Sequence, residues 1–123
     1  MIWLIGIGGS LGSAIRFLLS SYIKEQFQNE RYFPLGTWMI NVSGSFILGI
    51  LTNLHLTERI SEWIWFLLGV GFCGAYTTFS TFGYEVITLI VAKKEILAIL
   101  YVITSVIAGI LAASIGFLFV NFV

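Results

Sequence analysis

The chain has 123 residues, of which 59% are hydrophobic and 10% are charged, and its formal net charge is zero. A water-soluble domain carries about a quarter charged residues, so this much apolar surface predicts that lipid is the solvent of the chain. The zero net charge leaves no basic face for nucleic acid, and a single cysteine, Cys73, excludes a disulfide framework.

Apolar residues dominate four spans, and charged residues cluster between them. The spans cover residues 1–23, 36–54, 63–91 and 96–123. Each has about the 20 residues that a helix needs to cross the hydrocarbon core. The pattern predicts an all-α membrane protein with one multi-pass domain over residues 1–123, surrounded by lipid in the cell (inner) membrane. Residues 1–23 lack the basic start of a signal peptide and are expected to remain as a helix.

The first span carries one polar stripe at helical spacing, formed by Gly9, Ser13, Arg16 and Ser20. Beside this stripe, Gly8 and Gly12 have the G-x-x-x-G spacing that allows close contact between helices. Charged residues inside a membrane usually face protein or water. Arg16 therefore either braces the bundle, by capping carbonyls or reaching the interface, or lies near a vestibule and attracts anions.

The second span repeats this pattern with Thr37, Asn41, Ser45 and Thr52 on one face. The amide of Asn41 offers two donors and one acceptor without a charge. Asn41 either bonds a neighbouring helix or belongs to a hydrophilic track together with Thr37 and Ser45.

The third span contains the most informative stretch, which reads GFCGAYTTFSTF over residues 71–82. Glycine and β-branched threonine weaken a helix, and irregular backbone at membrane depth persists only where protein buries it or where it lines a wet cavity. The stretch therefore predicts a helix broken at its centre and marks the first place to look for an ion or substrate site.

Beyond this break, Phe79 and Phe82 share a helix face, and Thr81, Glu85 and Thr88 form an adjacent stripe. Two phenylalanines at this spacing are more often core or lipid contacts than site residues. Glu85 is the only acid within a span, and an unpaired carboxylate there is improbable. Protonation, pairing with Arg16 or hydrogen bonds to hydroxyls such as that of Thr37 would each accommodate it.

The fourth span places Tyr101, Ser105, Gly109 and Ala112 on one face, which leaves room for close helix approach or for a narrow passage. Across all four spans the sequence offers no nucleophile–base pair, metal-ligand cluster or nucleotide motif, so an enzyme is not expected. Uncharged donors and the positive edges of aromatic rings instead suit a small anion. Four short helices enclose little space, so a pathway between two copies, a homodimer, is expected.

Three segments resemble the signatures of the Fluc/CrcB fluoride channels, in their usual order and spacing. They are GGSLGSAIRF at residues 8–17, GTWMINVSGSF at 36–46 and GFCGAYTTFSTF at 71–82. The resemblance implies a fluoride-selective channel that passively exports cytoplasmic fluoride and relieves its toxicity. It also implies a dual-topology homodimer of two antiparallel protomers, with two pores at their interface.

By the same resemblance, the pore residues are the ring pair Phe79 and Phe82, the donor Asn41, and a polar track beside them. That track comprises Ser80, Thr81, Thr37, Glu85, Tyr101 and Ser105, whereas Gly109 stands where some relatives carry serine. The resemblance further implies a structural Na⁺ at the dimer interface, bound by the backbone carbonyls of Gly74 and Thr77. Oxygen ligands suit such a hard cation.

One feature departs from this expectation. The loops opposite the termini hold Lys24, Arg31, Lys93 and Lys94, whereas the loop on the terminal side holds only Arg59. A bias of four against one predicts a single orientation with the termini outside, although dual insertion needs a near balance.

Two other functions remain open at this point. A proton-coupled exporter of the small multidrug type would need an exchangeable membrane carboxylate, and Glu85 is the only candidate. A non-transporting assembly subunit would explain the G-x-x-x-G spacing, but it leaves Asn41 and the broken third span without a role.

Overall fold

The computed structural model describes residues 2–26 and 33–122. Arg31, one of the loop cations counted above, lies outside the described residues. Within the described residues, four segments are long and apolar enough to cross a membrane: Ile2–Gln26, Leu35–Leu56, Glu62–Val91 and Glu95–Phe122. This confirms the prediction of an all-α protein with four membrane spans. The first helix continues to Gln26, three residues beyond the expected end of the span.

The first two spans are uninterrupted helices, α1 (Ile2–Gln26) and α2 (Leu35–Leu56). The third span is divided. Its first half, α3, consists of Glu62–Ile64, a π-helical stretch Trp65–Cys73 and a last turn Gly74–Tyr76. Its second half is α4 (Ser80–Val91). The fourth span is α5 (Glu95–Phe119), which ends in the 3₁₀ turn Val120–Phe122.

Glycines bring α1 against α3, as the spacing of Gly8 and Gly12 predicts. A Cβ atom at Gly8 would collide with the carbonyl of Leu67, and one at Gly12 would collide with the carbonyl of Phe72. Lipid provides no hydrophobic force between helices, so close van der Waals contact of this kind holds them together.

The second pair of helices, α2 and α5, packs in the same way. A Cβ at Gly49 would meet the carbonyl of Ala113, and one at Gly116 would meet the carbonyl of Phe46. Near the opposite end of this pair, the Trp38 indole Nε1–H donates to the Thr104 hydroxyl across 3.3 Å. Small residues therefore hold α2 close to α5, and the third span packs beside this pair.

Tight turns join the later helices, and both turns use a residue with positive φ. Glu58 (φ 58°) follows α2, and Lys93 (φ 62°) follows α4. The N–H of the next residue bonds back five positions in both turns, from Arg59 to Leu54 and from Lys94 to Leu89, each across 2.8 Å. These are Schellman motifs, which satisfy the last carbonyls of a helix.

Candidate functional site

The third span breaks at Thr77. α3 ends at Tyr76, and Thr77 is extended with φ −78° and ψ 151°. Its N–H and its hydroxyl both donate to the Cys73 carbonyl, across 3.1 Å and 2.8 Å. Helical structure resumes only at Ser80. The predicted break at the centre of the third span is therefore present.

Asn41 of α2 closes this break. The Thr78 N–H donates to Asn41 Oδ1 across 2.9 Å, and Asn41 Nδ2 donates to the Thr78 carbonyl across 3.2 Å. The amide thus replaces both helical partners that the broken backbone of Thr78 has lost. Because an amide nitrogen carries two hydrogens, Asn41 retains a second donor for another group.

Thr78 in turn caps α4. The Thr81 N–H donates to Thr78 Oγ1 across 3.2 Å, and the hydroxyls of Thr78 and Ser80 lie 3.4 Å apart. A side-chain acceptor three residues before a free N–H is the usual way to begin a helix. The sequence contains this signal, because Thr78 lies two residues before the start of an apolar helix, but the hydroxyl-rich run does not single out Thr78.

A groove of about 330 Å³ runs along the break between α2, α4 and α5. It is lined by Asn41, Ser45, Leu48, Thr77, Thr78, Phe79, Phe82, Ser105 and Val106. Four predicted pore residues (Asn41, Phe79, Phe82 and Ser105) therefore meet in one place, together with Thr77.

Donors and aromatic rings converge in this groove. The Ser105 hydroxyl oxygen is buried and has no hydrogen-bond partner among residues 2–26 and 33–122. The Phe79 and Phe82 rings lie 6.2 Å apart at an angle of 49°. None of the described side chains that line the groove is a carboxylate. Such a lining can offer hydrogen atoms and ring edges to an anion, but no negative ligand to a cation.

A second polar group lies one helical turn beyond Phe82. The fully buried Tyr101 donates its hydroxyl to Glu85 Oε1 across 3.3 Å, and buried Thr37 also faces this carboxyl group. The Phe82 ring lies 5.0 Å from the Tyr101 ring and so separates this group from the groove. Of the alternatives for Glu85, hydrogen bonding to hydroxyls is the arrangement present.

The remaining predicted residues lie outside these two groups. Ser80 and Thr81 are exposed at the start of α4, and Gly74 is exposed on the last turn of α3. Arg16 is half-buried on α1, does not line the groove, and forms no ion pair with Glu85 in the described part of the chain. Sequence reasoning also missed the hydrogen bond between the hydroxyls of Ser43 and Tyr76, 3.0 Å apart, which ties α2 to α3 beside the break.

Known proteins with this sequence pattern are numerous. Residues 3–117 match the family described as CrcB-like protein, Camphor Resistance (CrcB). The chain is 42% identical over 114 residues to a protein of Clostridium acetobutylicum named Fluoride-specific ion channel FluC 2, a match that covers 93% of this chain and 92% of that one. A Methanopyrus kandleri protein named Fluoride-specific ion channel FluC is 44% identical over 109 residues, covering 88% and 79% of the two chains. A Bacillus subtilis protein named Fluoride-specific ion channel FluC 2 is 41% identical over 110 residues, a match that covers 89% of this chain and 79% of that one. The chain therefore belongs to the CrcB-like family.

Proposed function

We propose that this protein is a fluoride-specific ion channel that lets cytoplasmic fluoride leave the cell passively and so relieves fluoride toxicity. The observation that carries the proposal is the groove at the helix break, where uncharged donors and two phenyl rings meet in a chain whose relatives are named fluoride-specific channels. A passive pathway needs no exchangeable carboxylate, and Glu85, the residue that a proton-coupled exporter would use, is not part of the groove. The names of the relatives favour the channel in the same way.

Fluoride binds its water tightly, so a selective pathway has to replace that water. The second amide hydrogen of Asn41 and the unpartnered hydroxyl of Ser105 are the donors available for this in the groove. The positive edges of Phe79 and Phe82 complete the set. Thr37, Glu85 and Tyr101, with Ser80 and Thr81, then provide the polar track beyond the rings. Arg16 either attracts anions at a vestibule or braces the bundle.

The pathway in this proposal is completed by a second copy of the chain. The groove is open on one side, and the break presents residues that lipid solvates poorly. These are the exposed hydroxyl residues Ser80 and Thr81, and the Phe79 ring beside them is 75% exposed. An antiparallel homodimer with two pores in the cell (inner) membrane would cover these side chains with protein. Polar residues inside a membrane usually face protein or water.

Two carbonyls at the break support the proposed structural Na⁺. In an unbroken helix, the N–H of Thr78 would bond the Gly74 carbonyl, and the N–H of Thr81 would bond the Thr77 carbonyl. These N–H groups instead donate to Asn41 and to the Thr78 hydroxyl. The carbonyls of Gly74 and Thr77 are thus released from the helix, and two copies of each would offer four oxygens to one hard cation.

Anion efflux from liposomes tests the function directly. Vesicles that contain the protein should release fluoride rapidly and chloride very slowly, and Phe82→Ile should reduce the fluoride rate at least tenfold. Phe33→Ile is the matched control. The Phe33 ring also packs on Tyr101, with ring centroids 5.5 Å apart against 5.0 Å for Phe82, but Phe33 does not line the groove. Equal efflux of the two halides, or wild-type fluoride efflux in the Phe82 variant, would contradict the proposal.

A further inference from the structure

The turn between α4 and α5 contains a lysine where the backbone favours glycine. Lys93 has φ 62°, the left-handed conformation that side chains with a Cβ atom adopt at a cost. Its N–H donates to the Ile90 carbonyl across 3.0 Å, and the N–H of Lys94 donates to the Leu89 carbonyl across 2.8 Å. Glycine usually occupies this position of a Schellman motif. Lys93 therefore places a charged side chain at a position where the backbone conformation favours none.

The turn after α2 is the natural comparison. Glu58 occupies the same position with φ 58°, and its N–H donates to the His55 carbonyl across 3.1 Å. The two turns therefore share one backbone geometry and lie at opposite ends of the bundle. They differ in charge, since one presents a cation and the other an anion.

Cations gather at the Lys93 end of the molecule. Lys93, Lys94 and Lys24, which lies in the last turn of α1, are all exposed at this end. The Lys93 side chain forms no hydrogen bond or ion pair with any residue in the described ranges. Glu95 begins α5 beside the two lysines and is the nearest acid along the chain. These lysines make up most of the Lys/Arg bias between the two ends of the chain, and fluoride conduction gives no reason for that bias.

Apolar hollows adjoin this turn. A trough of about 440 Å³ runs between α4 and α5, with Glu95 at one end. Its aliphatic walls are Val86, Ile90, Ala98, Ile99, Val102 and Ile103. A second hollow of about 560 Å³ also includes Glu95 and joins Lys93 and Lys94 to the apolar side chains Ile96, Leu97 and Leu100. Lysines at the boundary of the membrane thus stand directly above aliphatic surface.

We propose that the α4–α5 turn binds an anionic phospholipid. Its phosphate lies against Lys93 and Lys94, and one acyl chain follows the trough between the two helices. Lysine is a compact phosphate-binding charge, and basic pockets between membrane helices bind anionic headgroups. Both parts of such a lipid are matched here, the headgroup by charge and the chain by aliphatic surface. Glu95 opposes the phosphate and limits the affinity.

This inference does not depend on fluoride conduction, so it is tested by lipid binding alone. The detergent-solubilised protein is titrated with phosphatidylglycerol or with phosphatidylcholine of identical acyl chains, and bound lipid is counted by native mass spectrometry. We expect phosphatidylglycerol to bind at least tenfold more tightly, and the preference to weaken as salt screens the charges. Each lysine removed should reduce phosphatidylglycerol binding about fivefold.

Lys93→Gly is the decisive variant, because it removes the cation while relieving the backbone. It should keep or raise the unfolding temperature and still weaken the lipid preference about fivefold. Glu58→Gly is the matched control, which relieves the same backbone at the opposite turn and should leave the preference unchanged. Lys93→Asn combined with Lys94→Gln should abolish the preference, and Glu95→Gln should increase it.

Three results would overturn the proposal. The first is equal binding of the two lipids by the wild-type protein. The second is an undiminished preference in Lys93→Gly. The third is full displacement of phosphatidylglycerol by glycerol phosphate at equal concentration, which would identify a site for soluble phosphate in place of a lipid.

Discussion

Asn41 has two tasks at the helix break, and its Nδ2 takes part in both. Its Oδ1 accepts from the Thr78 N–H and its Nδ2 donates to the Thr78 carbonyl, which leaves one amide hydrogen facing the groove. An aspartate at this position keeps the acceptor, loses both donors and adds a charge that repels anions. Aspartate therefore weakens the break and removes the fluoride donor at once, so its effect on fluoride passage has to be compared with that of a variant that loses only stability.

We predict that Asn41→Asp reduces fluoride efflux from liposomes at least tenfold and destabilises the protein moderately. The control is Asn53→Asp, since Asn53 also lies on α2, where it is buried, and its Nδ2 donates to the Phe117 carbonyl on α5, away from the groove. That variant should lose a similar amount of stability, about 1–3 kcal/mol for an unsatisfied carbonyl, yet conduct fluoride in its folded fraction. Equal loss of conduction in the two variants would show that Asn41 acts only through stability.

The sequence indicated most single residues of the site but not their pairing. The polar stripe of α2 indicated Asn41. The spacing of Phe79 and Phe82 favoured a core or lipid contact, and only the resemblance to the Fluc/CrcB channels indicated them as pore residues. The partner of Asn41 could not be inferred, because Thr78 lies 37 positions away and an amide in a span can bond any adjacent helix. The capping role of Thr78 was readable in principle, since Thr78 lies only two residues before the start of α4 at Ser80.

At the scale of helices, the predictable and the unpredictable features have different physical origins. Span number follows from apolar length, and the break follows from glycine and hydroxyl residues that a lipid-facing helix would avoid. The π-helical stretch Trp65–Cys73 was not predicted, because apolar residues on all sides leave no periodicity that separates π from α geometry. The turns at Glu58 and Lys93 were not predicted either, since glycine is the usual signal for their conformation.

The contact between α1 and α3 gives a prediction at this scale. Gly8→Ala should destabilise the protein by about 1–3 kcal/mol, because the added Cβ would collide with the Leu67 carbonyl and the backbones would have to separate. Gly6→Ala should be neutral or stabilising by up to about 1 kcal/mol, because no atom lies within 4 Å of its added Cβ and alanine favours a helix.

Unfolding of the two variants in detergent measures the difference, and fluoride efflux shows whether the loosened contact reaches the groove. If Gly6→Ala proved as damaging as Gly8→Ala, the G-x-x-x-G contact would not be the cause. A second copy of the chain packed over Gly6 would then be the better explanation, because Gly6 is exposed in the single chain.

For the whole molecule, charge and motif give opposite indications about insertion. The described cations Lys24, Lys93 and Lys94 lie at one end of the bundle, and Arg59 lies at the other. A Lys/Arg bias of this kind predicts one orientation with the lysine end in the cytoplasm. The proposed antiparallel dimer needs both orientations in equal number. Glu25 and Glu95 flank the lysines, but acids contribute little to the rule.

We predict equal insertion in both orientations, and cysteine labelling from outside intact cells tests it. In a Cys73→Ala background, Phe122→Cys reports the terminal end and Ala92→Cys reports the opposite end, since both residues are exposed. A maleimide that does not cross membranes should label about half of each variant, and the remainder only after the cells are opened. Complete labelling of Phe122→Cys with none of Ala92→Cys would mean that the lysines set one orientation, and the antiparallel dimer would be excluded. Lys93→Gly should leave the labelling ratio unchanged, because the proposed dimer forms in spite of the Lys/Arg bias. A shift toward termini inside the cell would show that Lys93 contributes to the orientation.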